Sequence, residues 1–124
     1  MKRIKKMALG MALAIGLFAG SAGSCYVAAD SVKVELTADI TAVRAYGKLV
    51  YNEAGHQIKV TVFYQEQGSD GLVRGGSVSD VQFGNVTTAV ASRNNAAGYK
   101  FIWGNVFGEV DDYVVATSGD IYVK

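Results

Sequence analysis

The feature that most constrains this 124-residue chain is a two-residue rhythm of apolar side chains that keeps returning after residue 31. Val32, Val34 and Leu36 alternate with Lys33 and Glu35, and Ile58, Val60, Val62 and Tyr64 alternate with Lys59 and Thr61. Val86, Thr88 and Val90 repeat the pattern. So do Tyr99, Phe101 and Trp103, then Tyr113 with Val115, then Ile121 with Val123. A strand turns successive side chains to opposite faces, so this spacing describes strands with one buried face. No window holds the three-four spacing of an amphipathic helix. Val, Thr and Tyr, which suit a pleated surface, are plentiful.

Turn residues separate the runs. Asn52-Glu53-Ala54-Gly55 reads as a tight hairpin before the Ile58 strand. Asn94–Gly98 parts the Val86 and Tyr99 strands, and Thr117–Asp120 parts the last two. Gln67–Gly71 opens the longest irregular stretch, which is expected to end near Gly75-Gly76. Gly47 lies inside a long strand-like segment, Ile40–Tyr51, and is expected to mark a bulge or bend. About eight short strands joined by short turns imply an all-β fold. The expected architecture is a small antiparallel β-sandwich, immunoglobulin-like or Greek-key, with a small β-barrel second. There is no proline. Edge strands must therefore be guarded by charge, twist or a bulge.

The first 29 residues have a different grammar. A basic cap, Met1–Lys6, is followed by an uncharged stretch from Met7 to Ala29 that ends in small residues. This is the pattern of an N-terminal signal peptide of bacterial type, with its signal helix outside the folded domain. Val27-Ala28-Ala29 before Asp30 places small residues where signal peptidase cuts, so residues 1–29 are expected to leave and 30–124 to form a single β-sandwich domain. Two other fates compete. Ala22-Gly23-Ser24-Cys25 loosely matches a lipobox, which makes Cys25 a candidate lipidation site and the chain a candidate lipoprotein. An uncleaved signal anchor is the third fate, weakened by Gly20, Ser21, Gly23 and Ser24.

Removing the leader changes the chemistry. Residues 30–124 hold eight basic and eleven acidic residues, a formal charge of −3, and no cysteine. The basic residues are scattered, which argues against nucleic acid as a partner. Membrane contact is expected only through the leader or a lipid on Cys25. Without thiols the domain must be held by its own apolar core.

Catalytic and metal-binding patterns are sparse. His56 is the only histidine and follows a turn, so it reads as a solvent-facing residue rather than a member of a nucleophilic triad. Gly75-Gly76-Ser77-Val78-Ser79 lacks the glycine two places after the serine that a nucleophile elbow requires. One histidine cannot build a zinc site, and Asp111-Asp112, with Glu109 nearby, lacks calcium-loop spacing and reads as solvated turn residues. No cofactor and no enzymatic activity are expected.

The aromatic residues near the end of the chain are the candidate binding residues. Tyr99, Phe101 and Trp103 alternate onto one face, and Phe107 and Tyr113 follow. Exposed rings in a row can stack on sugars or anchor a protein, whereas buried rings would fill the core. The resulting expectation is a small secreted or cell-surface, non-catalytic interaction module with an extracellular protein or glycan as partner. A secreted antagonist, bacteriocin-like or an enzyme inhibitor, is the alternative, and a small secreted hydrolase ranks last.

Overall fold

The computed structural model describes residues 22–29 and 32–124, with side chains from residue 33 onward. The signal helix expected over the apolar leader lies outside the described residues. The described chain is all-β: β1 (Ala22–Ala29), β2 (Val32–Ile40), β3 (Arg44–Tyr51), β4 (Ile58–Gly68), β5 (Val73–Gln82), β6 (Thr88–Asn94), β7 (Tyr99–Val110), β8 (Tyr113–Thr117) and β9 (Ile121–Tyr122). They form two antiparallel sheets, ordered β1-β2-β3-β6 and β5-β4-β7-β8, with β9 also on β7. Neither sheet closes on itself or joins the other, so the barrel alternative does not hold.

The alternation rule accounts for the core. Val34, Leu36, Ala38 and Ile40 of β2 face inward, as do Ile58, Val60, Val62 and Tyr64 of β4. Val106 and Val110 of β7 join them. The sheets approach closely because three inner positions are glycine. A Cβ on Gly47 would lie 2.7 Å from Val106 Cγ1, one on Gly104 2.7 Å from Ile40, and one on Gly108 2.7 Å from Leu49. Gly47 therefore marks no bulge. Its strand keeps an unbroken register with β2 and β6, and the glycine is there to admit the facing sheet.

Several turn expectations are corrected by this layout. The segment Ile40–Tyr51 is two strands. Thr41 breaks it, its Oγ1 accepting a hydrogen bond from Arg44 N at 3.1 Å, so that β2 and β3 fold into a hairpin. Asn52–Gln57 is a crossover rather than a hairpin, because β3 and β4 belong to different sheets. Asn95–Gly98 likewise crosses from β6 to β7. The irregular stretch expected from Gln67 to near Gly75-Gly76 shrinks to one turn, since β4 continues to Gly68 and β5 already begins at Val73 and pairs with it.

β1 pairs with β2 over its whole length, from Ala22 opposite Asp39 to Ala29 opposite Val32, with Cys25 opposite Leu36. The expected processing point after Ala29 thus coincides with the end of β1.

Candidate functional site

Strand β7 decides where the aromatic residues go. It runs in register with β4 until Gln65 faces Trp103, and then Glu66 faces Phe101. Ile102 is the extra residue of a β-bulge, and a bulge reverses the inward-outward alternation beyond it. Phe101 is consequently buried in the core, packed edge-on against Tyr64 with centroids 5.2 Å apart. Trp103 falls on the outward row with Asn105 and Phe107 and is only partly covered. Tyr99, Phe101 and Trp103 therefore do not share one face. The bulge splits them, and Phe101 is removed from any binding surface.

The outer face of the β4/β7 sheet gathers a different set. Phe63, 43% exposed, meets Phe107 edge to face at 5.7 Å. Tyr122, 63% exposed, lies opposite Trp103 on β9. Asn105 stands between them, facing Phe63 across the strands. Its amide donates to Asp120 Oδ1 at 3.3 Å and its carbonyl accepts from Thr117 Oγ1 at 3.2 Å. Four rings thus flank a fixed amide. Phe63 and Tyr122 were not among the residues singled out from the sequence. Phe63 could have been found by reading the second row of β4, on which it follows Lys59 and Thr61.

The other candidate rings lie elsewhere. Tyr113 is exposed at the start of β8. Tyr99 is half-buried beneath the Arg74 guanidinium, whose carbon lies 3.7 Å from the ring centroid. Arg74 also donates from Nε to Glu66 Oε1 at 2.9 Å, and that hydrogen bond raises the Arg74 pKa above its ordinary value. Glu66 is only 1% exposed, and Arg93 reaches it from the opposite sheet at 3.7 Å. This carboxylate continues the inward row of β4, so its burial is charge-compensated from both sheets. Beside it, a shallow cleft of about 490 Å³ opens between the Ser69–Gly71 turn and Gly98–Lys100.

His56 is not solvent-facing. It is 8% exposed and clasped at both ring nitrogens, Nδ1 lying 2.6 Å from Asp111 Oδ2 and Nε2 2.7 Å from Glu53 Oε1. Tyr51 abuts it edge-on at 5.4 Å. Each ring nitrogen thus faces a carboxylate oxygen, so the ring is held from both sides. Asp112 is the exposed turn residue expected, whereas Asp111 is half-buried and hydrogen-bonded across the turn. Both adopt positive φ, 50° and 69°, and Asp111 Oδ1 accepts from Gln57 N at 3.1 Å. These aspartates tie the β7–β8 turn to the β3–β4 crossover. Among the described residues, no group of three or more His, Cys, Asp or Glu side chains is arranged to hold a metal ion.

Comparison of this chain with models of protein families, with curated proteins and with solved structures finds no match.

Proposed function

We propose that this chain is an exported, non-catalytic binding domain that recognises glycans through the outer face of the β4/β7 sheet. In this reading the fold is a Greek-key sandwich of immunoglobulin-like strand order. The order β2-β3-β6 against β5-β4-β7-β8 supports it, because the chain changes sheets after β3, β5 and β6.

The observation that carries the functional reading is the composition of that outer face. Phe63, Trp103, Phe107 and Tyr122 supply flat apolar area, while Asn105, Asp120 and Gln65 supply donors and acceptors between the rings. A sugar presents the matching pattern, with C–H faces for the rings and hydroxyls for the amides and carboxylates. Rigid aromatics bind at low cost in side-chain entropy.

The test is a glycan array and a cell-wall polysaccharide pull-down with the secreted protein. Trp103, the only tryptophan, serves as a fluorescence reporter. Binding that disappears in Phe63→Ala and Tyr122→Ala while the far-ultraviolet circular dichroism stays unchanged is the expected result. Silence on both glycan sources, or binding indifferent to the two substitutions, refutes the reading. Capture of a single protein ligand by the same face would replace the glycan with a protein partner.

A further inference from the structure

Strand β2 is built like a central strand, yet the neighbour on one side of it is the tail of the expected leader. Its inner row, Val34, Leu36, Ala38 and Ile40, is apolar throughout and almost fully buried. Edge strands ordinarily carry devices that repel a newcomer, such as inward-pointing polar groups. β5, an edge of the other sheet, has them. Asp80 and Gln82 occupy its inward positions, opposite Val60 and Ile58, and Asp80 Oδ2 accepts from Val90 N at 2.9 Å. β2 has none on its inner row.

The backbone of β2 points the same way. Lys33 N donates to Asn52 Oδ1 at 2.8 Å, and Lys33 O accepts from Asn52 N at 3.2 Å, so both groups of Lys33 face β3. By alternation, the N–H and C=O groups of Val34, Leu36, Ala38 and Ile40 face away from β3, toward β1. Val34, Leu36 and Ala38 lie opposite Val27, Cys25 and Gly23, so cleavage after Ala29 removes the partners of all three.

We propose that Ala22–Ala29 is a temporary edge strand that leaves with the leader, and that the uncovered β2 edge then pairs antiparallel with β2 of a second copy. One register satisfies every constraint. With Leu36 opposite Leu36 of the partner, Val34 faces Ala38 and the apolar rows stay inside on both copies. On the outer face, Glu35 meets Thr37, and Lys33 meets Asp39 twice by symmetry. Opposite charges at directly facing positions favour this register over a slip in either direction. Asp39 also holds Arg44 of β3 at 2.8 Å, so its carboxylate would be shared between Arg44 and the partner's Lys33. The pairs at Lys33 and Glu35 are the closely spaced kind, with Cα atoms about 4.5 Å apart, within the span of a disulfide.

The proposal shares only the export step with the glycan reading. A monomer that bound glycan would overturn this proposal alone, and a dimer that bound none would overturn the other. The experiment uses the full-length chain expressed in an exporting bacterial host. Intact mass and light scattering are measured on the secreted product. The expected result is a chain starting at Asp30 with the mass of a dimer. A product that retains residues 22–29, or a monomer at tens of micromolar that starts at Asp30, overturns it. Register is read from Glu35→Cys/Thr37→Cys, which forms a disulfide-linked dimer on a non-reducing gel while either single substitution does not. A native dimer without that cross-link refutes the register. Lys33→Glu places like charges at both symmetric pairs and weakens dimerisation about tenfold.

Discussion

Alanine substitution at Phe101 and at Trp103, one at a time, probes the bulge that separates them. Without Ile102 as an extra residue, both rings would point the same way and the two substitutions would cost alike. With it, Phe101 is wholly buried and Trp103 lies on the outer face. Removing a buried aromatic side chain costs about 3–5 kcal/mol. The edge-on contact of Phe101 with Tyr64, 5.2 Å between centroids at 79°, places it toward the upper part of that range. A domain of this size holds roughly 5–15 kcal/mol in all, so Phe101→Ala leaves it marginal. With a urea slope of about 2 kcal/mol/M, the unfolding midpoint falls by about 2 M. Trp103→Ala removes a partly solvated side chain and costs about 1 kcal/mol, a midpoint shift of about 0.5 M. Urea titrations followed by circular dichroism measure both variants. In Phe101→Ala the retained Trp103 gives a second probe whose transition should coincide with the first. Equal shifts, or a larger shift for Trp103→Ala, would refute the bulged register.

Gly47→Ala sets a methyl group 2.7 Å from Val106 and 2.8 Å from Val62, and should cost about 1–3 kcal/mol by thermal denaturation. Gly75→Ala, whose nearest contact is 3.5 Å, should change stability by less than about 0.5 kcal/mol. Replacing Arg74 and Arg93 together by Met strands the Glu66 carboxylate inside the protein and should lower the urea midpoint. Adding Glu66→Met should recover most of that loss, because an apolar trio needs no charge partner. Asp112→Gly relieves a left-handed backbone and should raise stability by up to about 1 kcal/mol in calorimetry. Asp111→Gly should lower it, since that carboxylate holds both His56 and Gln57.

Much of this fold was legible in the sequence because the inner rows alternate so regularly. Val34 to Ile40 and Ile58 to Tyr64 identify their strands and their buried face directly. The second row of β4 was equally readable and contains Phe63. The bulge left a trace too. Within β7 the buried side chains move from odd Phe101 to even Val106 and Val110, and only an extra residue can change that parity. Glu66 extends the even-numbered row of β4 and so belonged inside on pattern alone. Which arginines would meet it could not be read, because Arg93 comes from the other sheet. The same holds for His56. Its burial depends on Asp111, 55 residues away in the chain. Short turns that look like hairpins cannot reveal whether the next strand joins the same sheet. That depends on which neighbour buries its apolar row, a matter of the assembled molecule.

The inward-pointing Asp80 has a consequence for how far assembly can run. A β-protein with an acceptor edge on both flanks can add copies head to tail without end, as fibres do. Here the β5/β6 flank is occupied from within, because the Asp80 carboxylate already holds the Val90 N–H. An incoming strand on that side would bring its backbone against a charge. Pairing through β2 is isologous, so each copy would use up its β2 edge on the other. Growth through the β2 edge would then end at two copies, with the Asp80 carboxylate guarding the opposite flank of a chain that has no proline.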